Sequence, residues 1–214
     1  MNASAEFPIS GSSLTPFGLP LCDLGWNATL GLVEGLISLR GNRTTLAFLD
    51  TRTAFRRAIG PGYRNELQRR LLLPSGGLAF GLLAKTMRQK PVPARFPAKM
   101  FIPALFTFLE KRHRIGVVGE DIARVEALRD HFSRHAPWHE IVAIAADQDV
   151  AQRFDLVIVD APRFAEEKRI ERRLVSVRTG LVVMAGAGLT GFIAGNPTRY
   201  RPAGGYDRAE LSLA

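Results

Sequence analysis

Residues 115–160 read IGVVGEDIARVEALRDHFSRHAPWHEIVAIAADQDVAQRFDLVIVD, and their pattern decides the fold. Ile115–Glu120 (IGVVGE), Ile141–Ala146 (IVAIAA) and Leu156–Asp160 (LVIVD) are apolar runs of strand length. Between the first two lies Asp121–His135, whose Ile122, Val125, Leu128 and Phe132 recur at helical spacing. Continuous apolar strands are those buried on both faces. Their alternation with amphipathic helices predicts an α/β fold, a mostly parallel sheet with helices on both faces.

Working outward, Thr44–Asp50 (TTLAFLD), Leu67–Pro74 and Leu181–Ala185 (LVVMA) continue the series of strands. Trp26–Arg40 has helical spacing at Leu30, Val33, Leu36 and Ile37, with Asn27 as the expected N-cap. Ligands of such sheets bind beyond the carboxyl ends of the strands. Those ends read Asp50-Thr51, Pro74-Ser75-Gly76-Gly77, Gly119-Glu120, Asp160-Ala161-Pro162 and Gly186-Ala187-Gly188, so polar and glycine residues gather where a site should be. Residues 1–16, rich in Ser, Pro and Gly, read as a loose leader, 17–195 as one domain and 196–214 as a short tail.

Of the 214 residues, 46% are hydrophobic and 23% charged, a globular composition that excludes a disordered chain. The lone Cys22 excludes a disulfide framework and a multi-cysteine zinc site, and fits a reducing compartment. Met1–Pro8 has neither a basic nor an apolar signal region, so no secretory signal is expected. Thr179–Thr198 is uncharged over about the length that crosses a bilayer. Its glycines, the Asn196-Pro197 pair and its β-branched start read instead as a buried strand, a glycine turn and a short helix.

Twenty-nine Lys+Arg against 20 Asp+Glu give a net charge of +9. The excess concentrates in Lys85, Arg88, Lys90, Arg95, Lys99, Lys111, Arg112 and Arg114, a cluster suited to phosphates or to an ordinary solvated face. Phe96, Phe101, Phe106 and Phe108 interleave at positions that look like core, and no nucleic-acid signature accompanies them. Gly186-x-Gly188-x-x-Gly191 follows a strand, but a dinucleotide fingerprint also needs a complete βαβ unit and an acidic ribose partner. Close approach of a ligand or of backbone accounts for these glycines better. His131, His135 and His139 share four-residue spacing, yet Pro137 interrupts the helix and Arg134 repels a cation. They read as a solvent-facing helix end. Ser75 lacks a histidine base and a GxSxG elbow, which excludes a serine hydrolase, while a turn whose N–H groups meet an anion stays open.

The order of these strand-end motifs resembles the WecG/TagA/CpsF family of bacterial glycosyltransferases over residues 17–195. Phe17-Gly18-Leu19-Pro20-Leu21 is similar to that family's opening segment, Leu46–Thr51 to its first strand and substrate loop, and Leu72–Gly76 to its strand ending in Pro-Asp-Gly. Arg95 with the stretch after it resembles the Arg-Val-x-Gly-Thr-Asp segment, and Pro103-Ala104-Leu105 the helix that follows. Ile115–Gly119 resembles the nucleotide-side strand. Asp160-Ala161-Pro162-Arg163 with Glu167-Lys168 resembles Gly-Ala-Pro-Lys-Gln-Glu-Lys, and Val183–Gly195 the terminal glycine-rich segment.

The resemblance implies a Rossmann-like domain that moves an N-acetylmannosamine-type sugar from a uridine diphosphate donor to a polyprenol-diphosphate-linked acceptor. It implies cell-surface or exopolysaccharide synthesis by a cytoplasmic protein at the inner, anionic face of the membrane. No cofactor, metal or nucleic acid is implied, and a homo-oligomer stays open. The family's Pro-Asp-Gly aspartate, its catalytic base, corresponds to Ser75, and its Gly-Thr-Asp carboxylate is lost at Ala98-Lys99-Met100. Asp50 ends the neighbouring strand and becomes the candidate base, with an N-cap over residues 51–58 as its structural alternative. Under the resemblance Arg95 and Arg163 hold phosphate. Ser75 and Gly76 meet sugar or acceptor, and Gly119 with Ala161-Pro162 lines the nucleotide cleft. Thr51, Gly77, Glu167, Gly186 and Gly188 are further candidates for substrate binding. The lost carboxylates favour a second expectation, a non-catalytic relative that binds a nucleotide sugar or partner proteins and regulates polymer synthesis.

Overall fold

The structure, a computed structural model, describes residues 13–14, 20–22, 24–39, 43–50, 67–76, 95–148 and 152–193. The chain is a Rossmann-like α/β fold. Its strands are β1 (Ser13–Leu14), β2 (Pro20–Leu21), β3 (Thr44–Asp50), β4 (Leu71–Gly76), β5 (Arg114–Gly119), β6 (Glu140–Ala145), β7 (Phe154–Val159) and β8 (Thr179–Met184). The helices are α1 (Trp26–Ser38), α2 (Ala98–Phe108), α3 (Ile122–His135), α4 (Phe164–Arg173) and the single turn α5 (Thr190–Ile193).

The six long strands run parallel in the order β4-β3-β8-β7-β5-β6. At the β4 edge, β2 adds in parallel and β1 pairs antiparallel with β2. Part of the expected leader, Ser13–Leu14, is thereby drawn into the sheet.

Each central strand feeds two cores, which explains its unbroken apolar run. Leu46, Phe48, Leu181, Val183, Leu156 and Ile158 face α1, α2 and α3. Ala47, Leu49, Val182, Met184, Val157 and Val159 face the side of α4. On the first side Trp26 stacks on Phe96 with ring centroids 5.3 Å apart, and Phe101 meets Phe96 edge-on at 5.6 Å. Phe96, Phe101 and Phe106 are fully buried as expected, whereas Phe108 is exposed.

Several elements differ from their sequence-based bounds. Helix α1 is capped by Gly25, and Asn27 lies exposed in its first turn. The fourth strand starts at Leu71, because Leu67–Gln68 is still helical and Arg70 is buried in ion pairs with Glu167 and Glu171 of α4. Thr179–Ile193 forms the buried strand, glycine turn and short helix read from the sequence. No helix among the described residues is long and apolar enough to cross a membrane.

Helix α3 leaves β5 for β6 across one face, and α4 leaves β7 for β8 across the other. Strands β5 and β7 are neighbours whose connections run in opposite directions. In an open α/β sheet the carboxyl ends at such a reversal are the standard ligand position.

Candidate functional site at the carboxyl edge

Because the long strands are parallel, every strand end named above falls on one edge. In sheet order the edge reads Ser75–Gly76 on β4, Asp50 on β3, Ala185–Gly186 after β8, Asp160–Ala161 after β7 and Gly119 on β5. Ladder bonding runs one residue past the strands. Asp160 N–H donates to the Val118 carbonyl (2.8 Å), Ala185 N–H to Val159 (3.0 Å) and Ala146 N–H to Gly119 (2.9 Å). These bonds fix the first residue of each loop. Asp50 lies opposite Gly76 across a register shift.

Two of the glycines are required by contact. A Cβ at Gly119 would stand 2.7 Å from Val125 Cγ2 and 3.1 Å from the Asp160 carbonyl oxygen. At Gly188 it would stand 2.6 Å from Ala98 Cβ, so the start of α2 packs directly on the loop after β8. Gly186 has φ +56° with open space around it, a backbone shape rather than a packing need.

Two ion pairs bracket the carboxyl ends of β5 and β7. Arg124 of α3 grips Asp160 through Nε to Oδ2 and through Nη2 to Oδ1 at 3.0 Å. Arg169 of α4 grips Glu120 at 2.7 and 2.8 Å. Asp160 is almost wholly buried, and the hydrogen bond to it is the main cause of a raised Arg124 pKa. The Arg169 bond, chiefly, lowers the pKa of the exposed Glu120.

Both helices that begin here carry their own carboxylate. Asp121 Oδ1 accepts from Arg124 N–H (3.2 Å) at the start of α3, and Glu166 Oε2 accepts from Arg163 N–H (3.2 Å) at the start of α4. Anion binding by helix N-termini is correspondingly reduced at these two places. A cation open to an anion at this edge is the Arg163 guanidinium. Its side chain is 83% exposed and meets Glu166 at 3.0 Å.

The expected site residues divide accordingly. Ser75, Gly119, Ala161, Pro162, Arg163, Gly186 and Gly188 share the carboxyl edge, Ala161 being buried and Arg163 open. Arg95 is exposed, just before Phe96, whose N–H donates to the Pro74 carbonyl at 2.7 Å. Glu167 of α4 is buried and ion-paired with Arg70. Thr51 and Gly77, and the expected helix over 51–58, lie outside the described residues, as do Lys85, Arg88 and Lys90.

The histidines correct another expectation. His139 is buried rather than solvent-facing, accepting from His113 N–H at Nδ1 (3.2 Å) and donating from Nε2 to the Phe106 carbonyl (2.9 Å). His135 bonds the Pro103 carbonyl and Thr107, and His131 packs on Phe192 with centroids 4.5 Å apart.

Sequence reasoning missed Arg124 and Arg169. The available signal was Asp160, a carboxylate directly continuing an apolar strand, which must find a cation when buried. No protein-family model and no curated protein matches the sequence.

Proposed function

We propose that the chain is a glycosyltransferase-like protein of cell-surface or exopolysaccharide synthesis that binds a uridine diphosphate sugar at the carboxyl edge of its sheet. The observation that carries this reading is the gathering of Ser75–Gly76, Asp50, Gly186, Asp160–Arg163 and Gly119 along that edge, centred on the β5/β7 reversal. The nucleotide lies against the loops that follow β5 and β7, at Gly119 and Ala161-Pro162. The diphosphate meets Arg163, the open guanidinium at the start of α4.

The sugar then points along the edge toward β3 and β4. Transfer requires a base for the acceptor hydroxyl, and Asp50 at the end of β3, opposite Gly76, takes that role. The acceptor is lipid-linked, and exposed cations such as Arg95 and Lys99 draw the protein to an anionic bilayer.

One observation favours the second reading, a non-catalytic relative. Asp160 and Glu120 at the edge are consumed in ion pairs with Arg124 and Arg169, and Ser75 is no base at neutral pH.

Turnover with uridine diphosphate sugars and a lipid-linked acceptor separates the two. With Asp50 as base, Asp50→Asn lowers turnover by ~10²–10⁴ and leaves donor affinity nearly intact. A non-catalytic relative binds the donor without turnover, and Ser75→Asp then raises transfer or donor hydrolysis above the wild-type level. No binding and no activity in any of the three proteins discards the reading.

A further inference from the structure

The two edges of the sheet are built differently. At one, β1 and β2 are two residues long and β2 starts with Pro20, features that blunt an edge. At the other stands β6, Glu140–Ala145 (EIVAIA), and no described strand pairs with its outer side. It follows β5 in unbroken register, from Arg114 beside Glu140 to Gly119 beside Ala145. After Glu140 it carries no charge, no proline and no bulge. A strand of this kind is a template for another strand.

The groups it offers follow from the ladder. Glu140 N–H donates to the His113 carbonyl (3.0 Å) and Ala146 N–H to the Gly119 carbonyl (2.9 Å), both toward β5. Successive residues of a strand turn their backbone groups to alternate sides, so Ile141, Ala143 and Ala145 present theirs outward. The Ala145 carbonyl also accepts from Gln148 N–H at 3.0 Å, and its second lone pair is left for a further bond. The side chains of Val142, Ala143 and Ala145 are half-buried.

Charge makes the strand complementary to itself. Ile144 and Val142 belong to the core on the α4 side, and the period of two puts Glu140 on that face as well. Glu140 Oε1 stands 3.1 Å from Arg114 Nε, whereas Oε2 has only Arg112 at 3.9 Å. At the other end of the strand, Arg173 of α4 donates from Nη1 to the Ala146 carbonyl at 2.7 Å. A carboxylate thus marks one end and a guanidinium the other.

We propose that β6 pairs antiparallel with β6 of a second copy of this chain, about a two-fold axis through Ala143 that runs normal to the sheet. Ala143 then faces its own copy, Ile141 faces Ala145, and these residues exchange their outward bonds. Val142 faces Ile144, and Glu140 faces Ala146, where Arg173 of the second copy stands. An axis through Val142 would leave Ala145 unpaired and set Glu140 against Ile144. The contact stands on the β6 edge and does not rest on the uridine diphosphate reading.

The test is sedimentation equilibrium of the full chain, with cysteine cross-linking to read the register. The wild type should show a reversible monomer–dimer equilibrium. Ala143→Cys should form a disulfide-linked dimer under mild oxidation, because facing residues of such a pair have Cα atoms ~5.5 Å apart. Ala145→Cys should not, since its two copies lie four residues apart, ~13 Å. The buried Cys22 supplies no cross-link of its own. Val142→Lys, which places a charge on the edge, and Ala143→Pro, which removes an N–H that β5 does not use, should each raise the dissociation constant about tenfold or more. Arg173→Glu, which sets two carboxylates together, should also weaken the dimer. A wild type that stays monomeric at every concentration, a dimer indifferent to Val142→Lys, or equal cross-linking at positions 143 and 145 overturns the proposal.

Discussion

Arg124 stands on the helix that leaves β5, yet its guanidinium holds Asp160, the residue that ends β7. The mirror relationship joins Glu120, after β5, to Arg169 on the helix that leaves β7. Each crossover helix is thus tied to the end of the other strand, and the ties bracket the point where the sheet reverses its direction of connection. Asp160 is where the two ties differ in weight, because it is buried and Glu120 is not.

Removing the cation from a buried carboxylate leaves an uncompensated charge, while an exposed pair is nearly neutral in water. Arg124→Ala should therefore cost about 3 kcal/mol of stability in urea unfolding. Glu120→Gln should leave the transition almost where it is. Replacing both Arg124 and Asp160 by leucine should recover most of the loss. Similar midpoints for Arg124→Ala and the wild type would show that Asp160 does not depend on its partner.

The glycines of the edge should separate by cause. Gly119→Ala drives a methyl into Val125 and the Asp160 carbonyl, and should cost about 1–3 kcal/mol while loosening α3 against β5. Gly186→Ala meets no neighbour and should cost about 1–2 kcal/mol through its positive φ alone. Amide hydrogen exchange tells them apart: the first change should speed exchange in β5 and α3, the second only around the loop after β8.

His139 makes stability depend on pH. Burial is the main cause of its lowered pKa, and the His113 N–H occupies the nitrogen that would take the proton. His131 is lowered as well, mainly by burial and then by Arg134 and His135. Below about 6.5 the unfolded chain binds protons that the folded chain refuses. Stability present above that pH is then lost as the pH falls toward the folded-state values. Urea midpoints should drop between pH 7.5 and 5.5, and less steeply in His139→Gln. A midpoint that rises on acidification would contradict the neutral, doubly bonded imidazole.

How much of this was written in the sequence follows from range. The apolar runs of β3, β5, β7 and β8 announce doubly buried strands by themselves, and Asp121 before an amphipathic run announces the start of α3. Local pattern also gives the edge at which Ser75, Gly119 and Gly186 meet, since parallel strands all end on one side. What depends on distant partners was not legible. The late start of β4 follows from Arg70 reaching Glu167, 97 residues away. The same ion pair occupies the Glu167 carboxylate, which its motif position alone does not reveal. His139 reads as exposed after a helix-ending proline, yet the Phe106 carbonyl, 33 residues earlier, draws it inside. Gly25 rather than Asn27 is the cap, a shift of two residues that composition alone leaves undecided.

The proposed place of a uridine diphosphate sugar is over the carboxyl ends of β5 and β7. The most direct measurement is a titration of the isotope-labelled chain with a uridine diphosphate sugar, followed through backbone amide shifts. Saturable shifts at Gly119, Glu120, Ala161, Arg163 and Gly186, with Arg112 and Arg178 at the opposite edge unmoved, are the predicted result. No saturable shift, or shifts confined to the amino edge, would contradict it.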